Sequence, residues 1–215
     1  MTCYQKIIEL YSKENLNIIK SSYGPYHLID GFFTGGGITE LEILYFEKYK
    51  DVFINPKIFI IGNAFGFSTI AFSQIFKNAS IDVIDAEVEG TENKKGSEIT
   101  KKIADFNNLD INLTIGFSPK DTKSAMRFDS YDIVFIDGLH TNEQLILDFD
   151  SIKSFLNKNK FICFFHDIKL FKLETSFNYI KDNNKNLYDD YIVSLDEKTS
   201  ESGMGILSKN ISIIK

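Results

Sequence analysis

No stretch of this chain stays apolar for long. The longest runs, Ile58 to Ile61 and Phe161 to Phe165, fall far short of the ~20 residues a membrane-spanning helix needs. The first twenty residues carry Lys6, Glu9, Lys13, Glu14 and Lys20, so they lack the uninterrupted apolar core of a secretion signal. Cysteine is scarce as well. Cys3 and Cys163 are the only two, which makes no disulfide framework and suits a reducing cytoplasm. A basic surplus is also missing. With 24 Lys and Arg against 30 Asp and Glu, the net charge is −6, and the pI is near 5.2, which argues against a nucleic-acid partner. There is no internal repeat and no low-complexity tract. What is present is an ordinary globular composition, 43% hydrophobic over 215 residues, long enough to bury roughly 70% of the unfolded surface without a metal or disulfide staple. The expectation is a cytoplasmic protein with one core and no membrane partner.

Short runs rich in Ile, Val and Phe alternate with longer stretches of helical period. The runs are 57–61, 81–84, 111–115, 131–136 and 160–165. Runs apolar on both faces are the mark of strands in a parallel sheet covered by helices. Between them, 141–156 sets Leu145, Phe149, Ile152 and Leu156 on one helical face, with Gln144, Asp148 and Ser151 turned away. The segment 91–107 places Ile99, Ile103 and Phe106 on one side. Alternation of this kind predicts right-handed βαβ units and a doubly wound α/β sheet. Residues 1–52 show helical periods (Ile38, Leu41, Tyr45, Tyr49) and no convincing strand, so they are expected to form an N-terminal helical cap on a unit spanning 53–215. A loop at 31–37, rich in Gly, is expected to be mobile. Near the end, a helix at about 172–183, strands at 190–195 and 204–209, and a polar turn between the strands predict a hairpin closing one sheet edge.

Three strand ends carry the chemistry. The run Lys57–Ile61 empties into Gly62-Asn63-Ala64-Phe65-Gly66 and then a helix expected to be capped by Ser68. Small residues let backbone approach a ligand, and amides at a helix start favour polar or anionic groups. Asp85 stands 19 residues after Gly66 at the end of the second strand, where a carboxylate can accept both hydroxyls of an adenosine ribose. A tight turn beside a solvated Asp is the plainer account of the same residues. The fourth strand ends in Asp137-Gly-Leu-His140, and an imidazole there titrates near neutrality and suits a general base. A loop-tethering His paired with a carboxylate fits that position too. The fifth strand ends in His166-Asp167. Asp137, His166 and Asp167 then converge from neighbouring strand ends and can hold a divalent ion, or Asp167 can pair with His166 or His140 with no ion bound; the residues alone leave both open. Gly116-Phe117-Ser118 follows the third strand, where a loop would face an adenine, although Ser118 also fits as an N-cap for 119–126. Glu40, Glu42, His27 and Asp30 are further candidates for the crevice.

Together, the Gly62–Gly66 loop, Asp85 and Asp137-Gly-Leu-His140 resemble the class I S-adenosylmethionine-dependent methyltransferases. The likeness is to the bacterial small-molecule and sugar O-methyltransferase branch, whose fourth strand ends in Asp-Gly-x-His and whose fifth ends in His-Asp. It covers about residues 38–209 and includes a last strand with Gly203-Met-Gly-Ile206. The resemblance implies a Rossmann-like, mostly parallel seven-stranded sheet with its antiparallel last strand inserted between neighbours. It implies cofactor contacts from Gly62, Asn63, Ala64, Gly66 and Ser68 at the methionine end, Asp85 and Ala86 at the ribose, Gly116, Phe117 and Ser118 at the adenine, and Asp137 near the sulfonium. Asp137, His166 and Asp167 resemble the metal positions of catechol and sugar O-methyltransferases, with manganese or magnesium as the ion, and His140 falls where the catechol enzyme carries its catalytic Lys. The sequence departs from the family pattern at Ile60, Ala64, Asn142 and Lys158-Asn159.

The resulting expectation is O-methylation of a hydroxyl on a sugar, sugar conjugate or other small molecule, with Asp137 and His140 as the catalytic pair. A homodimer through residues 1–30 is a candidate assembly. The rival classes are a nicotinamide dehydrogenase, disfavoured because Gly62, Ala64 and Phe67 break the Gly-x-Gly-x-x-Gly pattern, and a catalytically silent or other adenine-nucleotide-binding protein on the same fold.

Overall fold

The computed structural model describes residues 1–14, 18–20, 27–29, 32–33, 38–88, 93–184, 189–193 and 203–211. Of the expected 31–37 loop, Phe32 and Phe33 form a short strand instead; the rest of that loop and Asp30 lie outside those residues, and of His27 only the backbone is described.

Five apolar runs become five parallel strands, β4 (Lys57–Ile61), β5 (Ser80–Asp85), β6 (Ile111–Ile115), β7 (Ile133–Ile136) and β8 (Phe161–Phe165). They are preceded by α1 (Cys3–Lys13), three short strands β1 (Ile18–Lys20), β2 (His27–Ile29) and β3 (Phe32–Phe33), and α2 (Glu40–Glu47). The connections are α3 (Phe67–Ile75), α4 (Asn93–Phe106), α5 (Thr122–Ala125), α6 (Asn142–Ile152) with a 3-10 turn at Lys153–Phe155, and α7 (Glu174–Asp182). The hairpin β9 (Asp189–Val193) and β10 (Met204–Lys209) completes a seven-stranded sheet of order β6-β5-β4-β7-β8-β10-β9. β10 lies antiparallel between β8 and β9, so the mostly parallel, doubly wound sheet holds in full.

Period-2 alternation divides the core in two. Ile58, Ile60, Ile133, Phe135, Ile162 and Phe164 face one layer, which α1, α2, α3 and α4 cover. Phe59, Ile61, Val134, Ile136, Cys163 and Phe165 face the other, with α6 and α7 over them. Fully burying one such side chain contributes about 1.5–3 kcal/mol. On the first face, Phe46, Phe72, Phe135 and Phe164 meet at centroid distances of 4.9 to 6.4 Å, which locks α2 and α3 to the sheet.

Several local expectations need correction. Residues 1–52 do contain strands, the antiparallel set β1-β2-β3; runs of two or three residues are too short to show a period. The third helix starts at Phe67 with Gly66 as its N-cap, so Ser68 is inside it. The N-cap of α5 is Asp121 and not Ser118. Phe106, in the last turn of α4, is 66% exposed, while Leu109 just beyond it packs on the core.

The chain steps outward from β4 to β5 and β6, then returns to place β7 on the opposite side of β4. The crevice at such a reversal, outside the carboxyl ends of the strands, is where open α/β sheets bind ligands. Ile61-Gly62 and Ile136-Asp137 form its two lips.

Candidate active site

The loop after β4 is held from every side. Gly62 has φ +95°, and a Cβ there would stand 2.0 Å from the Asp137 carbonyl oxygen, so only glycine fits beside β7. Asn63 is buried. Its side-chain amide donates to the Ala64 carbonyl (2.9 Å) and to Thr100 Oγ1 (3.0 Å), and its Oδ1 accepts from Thr69 Oγ1 (2.9 Å). The Asp85 carboxylate accepts from the backbone N–H of Asn63 (2.6 Å), Ala64 (3.0 Å) and Glu87 (2.7 Å). Asp85 is therefore a clamp on the loop itself, a role its position in the sequence does not disclose. Helices α1, α2 and α6 all start with a Thr side chain capping a backbone N–H; α3 has no side-chain cap. Its first turn faces the crevice with amides that a ligand carboxylate can satisfy.

At the ends of β7 and β8 three carboxylates meet two imidazoles. His166 Nδ1 lies 3.1 Å from Asp137 Oδ1 and 3.4 Å from Asp167 Oδ2, and its Nε2 lies 3.0 Å from Glu42 Oε1. His140 Nε2 is 3.2 Å from the same Asp137 oxygen and 3.6 Å from Asp167 Oδ2. The His140 ring stacks on Phe171 at 4.1 Å with planes 10° apart. Burial disfavours a charge on His166, but Asp137, Glu42 and Asp167 outweigh it and hold the imidazole well above its ordinary value. His140 is raised for the same reason, with burial and the charge of His166 opposing its bond to Asp137. Burial alone would raise Asp137, yet the two imidazoles bring it below the usual carboxylate range. Glu42 also accepts from the Thr39 N–H at its own helix start (2.6 Å), so it serves the cap and His166 together and does not face the crevice.

Asp137, His166 and Asp167 each offer a ligand atom, all within 4.8 Å of one another. This donor set fits a divalent ion. With Nε2–H donated to Glu42, a neutral His166 presents Nδ1 to the carboxylates, the outer-shell arrangement that fixes a ligating imidazole. One nitrogen with two oxygens suits manganese, iron or zinc better than magnesium.

The third part of the site lies after β6. Gly116 N–H bonds the Asp85 carbonyl (2.9 Å), and Asp121 Oδ2 accepts from Phe117 N–H (2.9 Å). Gln144 of α6 donates to the Ser118 carbonyl (2.8 Å) and to Asp148 Oδ1 (2.7 Å). Gln144 and Asp148 were expected on the face of α6 turned away from the core; Asp148 is in fact 1% exposed and sits against the 116–118 loop. Local spacing does not mark the pair, because its role comes from a loop distant in sequence.

One cavity of about 230 Å³ joins these parts. Gly62, Asn63, Ala64, Ser68, Asp85, Ala86, Gly116, Phe117, Ser118, Asp137 and His140 all line it, as do Glu87, Gln144 and Asp148. Gly66 does not; its Cα packs on Thr100, which a Cβ would meet at 2.0 Å. His166 and Asp167 stand behind Asp137, outside the lining. Among the described residues, four carboxylates and no Lys or Arg line the wall. Such a wall favours a ligand of net positive charge over the pyrophosphate of a dinucleotide.

Comparison with known proteins agrees with this geometry. No curated protein matches the sequence. Among solved structures, the O-methyltransferase of Bacillus cereus in complex with SAH is 10% identical with a TM-score of 0.64, over 96% of this chain and 90% of that one. The O-methyltransferase TomG of Streptomyces achromogenes, involved in tomaymycin synthesis and in complex with SAM, is 9% identical with a TM-score of 0.65, over 96% and 89%. The precorrin-6y C5,15-methyltransferase of Geobacter metallireducens is 14% identical with a TM-score of 0.59, over 80% and 90%. These likenesses establish the fold. A family model described as a methyltransferase domain matches residues 59–168, just over half of the chain, and the protein belongs to that family, the class I S-adenosylmethionine-dependent methyltransferases.

Proposed function

We propose that the protein transfers the methyl group of S-adenosylmethionine to a hydroxyl of a small molecule, a sugar or sugar conjugate being the leading class. The observation that carries this reading is the single cavity lined by the Gly62–Ala64 loop, Asp85 and the 116–118 loop along one wall and by Asp137 and His140 at the other end. The uncapped first turn of α3 suits the carboxylate of the donor, and the acidic wall suits its sulfonium and ammonium. The similar Bacillus and Streptomyces proteins are themselves O-methyltransferases.

In the reaction the acceptor oxygen forms a bond to the methyl carbon while the carbon–sulfur bond breaks, and the electron pair neutralises the sulfonium. Holding the oxygen in line supplies much of the acceleration. His140 takes the hydroxyl proton. With Nε2–H donated to Asp137, the neutral ring keeps Nδ1 as the acceptor, and Asp137 stabilises the imidazolium that forms. The stack on Phe171 fixes the ring plane. A divalent ion held by Asp137, His166 and Asp167 would lower the pKa of the acceptor hydroxyl when bound. Residues 1–52 act as the cap on the 53–215 unit; Tyr11 of α1 donates to the Phe65 carbonyl at 2.7 Å, so this segment braces the donor loop from outside.

Calorimetric titration with S-adenosylmethionine and S-adenosylhomocysteine tests the donor. Micromolar binding is expected, weakened at least about tenfold in Asp85→Asn, whose amide cannot accept all three clamping N–H groups. Absence of binding to either ligand, with and without manganese, would sink the reading. For the base, turnover of His140→Gln with a hydroxyl acceptor should fall about 10²–10⁴-fold while affinity for the donor stays the same.

A further inference from the structure

The two residues after His140 each close a helix. Thr141 caps its own, accepting from the Gln144 N–H (3.2 Å). Asn142, the first residue of α6, reaches across to α7. That helix starts at Glu174 behind Leu173, which offers no side-chain cap. Asn142 Oδ1 accepts from the N–H of Ser176 (3.2 Å), the third residue of α7, and from the Ser176 hydroxyl. This is the bond that a helix's own N-cap ordinarily makes. Asn142 Nδ2 donates to the Lys172 carbonyl (3.4 Å). So α7 takes its cap from another helix, at a position where the sequence departs from the family pattern. The borrowed cap bears on the turn between β8 and α7. Phe171 in that turn stacks on His140, and its N–H bonds the Asp167 carbonyl (3.1 Å). Phe171 is 44% exposed and Leu170 40%, so burial does not hold the ring in place. Leu173 and Phe177 anchor the start of α7 in the core, but apolar burial is non-directional and leaves the winding of the turn to its hydrogen bonds. Lys172 has φ +57°, a left-handed conformation that a residue with a side chain keeps only where its surroundings over-determine it. The Asn142 bonds fall on this residue and on the helix start just beyond it.

From this geometry we infer that Asn142 is a positioning residue for His140: by capping α7 from α6, it holds Phe171 over the imidazole and so fixes the plane of the ring. The inference rests on the reading of His140 as the base, and gives that base its support. Asn142 does not line the cavity; it acts through Phe171. Its side chain is exposed and adds no apolar burial of its own, so what its bonds supply is register between the starts of two helices. Aspartate can serve the same purpose, because a carboxylate accepts from both Ser176 donors and its charge suits a helix N-terminus. Alanine removes all three bonds.

The test is the nuclear Overhauser contact between the two rings, recorded on the full chain in chelator with no ligand added. The chain has three histidines, and His140→Gln identifies the His140 signals by their loss. The wild type should show contacts from the His140 ring protons to an aromatic ring, and Phe171→Leu should abolish them. Asn142→Ala should lose the same contacts, and Asn142→Asp should keep them. A cap that served only stability would lower the unfolding midpoint of Asn142→Ala and leave the ring contacts intact. Contacts absent from the wild type, kept by a folded Asn142→Ala, or lost equally in Asn142→Asp overturn the inference. If Asn142→Ala does not fold, Asn142→Ser, whose hydroxyl is too short to reach α7 but suits the first turn of α6, should lose the contacts in its place. Failure of the base reading has a separate signature: His140→Gln then keeps full turnover, whatever the ring contacts show.

Discussion

Gly62 shows how a single position fixes the site. Its φ of +95° and the 2.0 Å approach of a would-be Cβ to the Asp137 carbonyl mean that Gly62→Ala must strain the backbone and push β4 and β7 apart. A residue held in such a region costs about 1–3 kcal/mol, and here the clash adds to it. Thermal unfolding should show a lowered midpoint, and the affinity for S-adenosylhomocysteine should drop with it because the lips of the crevice move. An unchanged affinity in a destabilised variant would mean the loop does not cradle the ligand. Glu42 carries a subtler dependence. It holds His166 Nε2 at 3.0 Å, so Glu42→Gln removes the charge that fixes which ring nitrogen faces Asp137 and Asp167. Manganese affinity, read by calorimetry or electron paramagnetic resonance on the metal-loaded protein, should fall about 10–100-fold. The donor ligand, bound elsewhere in the crevice, should lose little.

Among the elements, the strands were the most legible part. Four of the five apolar runs have residues buried on both faces of the sheet, so β4, β5, β7 and β8 follow from composition and length without knowledge of their partners, while β6 buries only Leu113. The strand ends were legible for the same reason: once a run is placed, Asp137, His166 and Asp167 must emerge at its carboxyl edge. Glu42, Gln144 and Asp148 were not, because each acquires its role from a helix packing against a distant loop, a relation that local spacing does not encode. Asp85 was placed correctly, but its bonds to Asn63 and Ala64 depend on how the neighbouring strand end curls back. One brace at the edge of the sheet is independent of the site. Asp82 of β5 is fully buried and accepts from Arg127 Nε, from Arg127 N–H (2.8 Å) and from Tyr131 Oη (2.6 Å). Neither Asp82 nor Arg127 lines the cavity. Removing the guanidinium in Arg127→Met leaves a buried carboxylate with neutral donors only. The loss should be about 1–3 kcal/mol, below the usual figure for a broken buried pair because the Arg127 side chain is 35% exposed. Chemical denaturation should register it, while affinity for S-adenosylhomocysteine stays within about twofold.

For the whole molecule, the cluster at the ends of β7 and β8 ties stability to pH and to cations. Glu42 comes from the N-terminal segment, His140 and Asp137 from the turn after β7, and His166 and Asp167 from the end of β8, so a charge gained or lost there is felt by three separate parts of the fold. His166 and His140 are raised in the folded state. Their contribution is complete below the unfolded histidine value of about 6.5 and is lost as pH rises through the folded values. Asp137 is lowered; its contribution is present above the unfolded carboxylate value of about 3.9 and disappears as pH falls through the folded one. In chelator the unfolding midpoint should therefore be highest in the mildly acidic range and decline from about pH 6.5 towards 9, as the imidazoles lose the protons that neutralise Glu42, Asp137 and Asp167. A divalent ion competes with those protons for the same carboxylates and for His166 Nδ1. Manganese should accordingly raise the midpoint more at pH 8.5 than at pH 6, and His166→Gln should flatten both the alkaline decline and the response to manganese. A midpoint that climbs steadily from pH 6.5 to 9 in chelator would show that no imidazolium is held among these carboxylates, and the charge balance drawn for the site would have to be reversed.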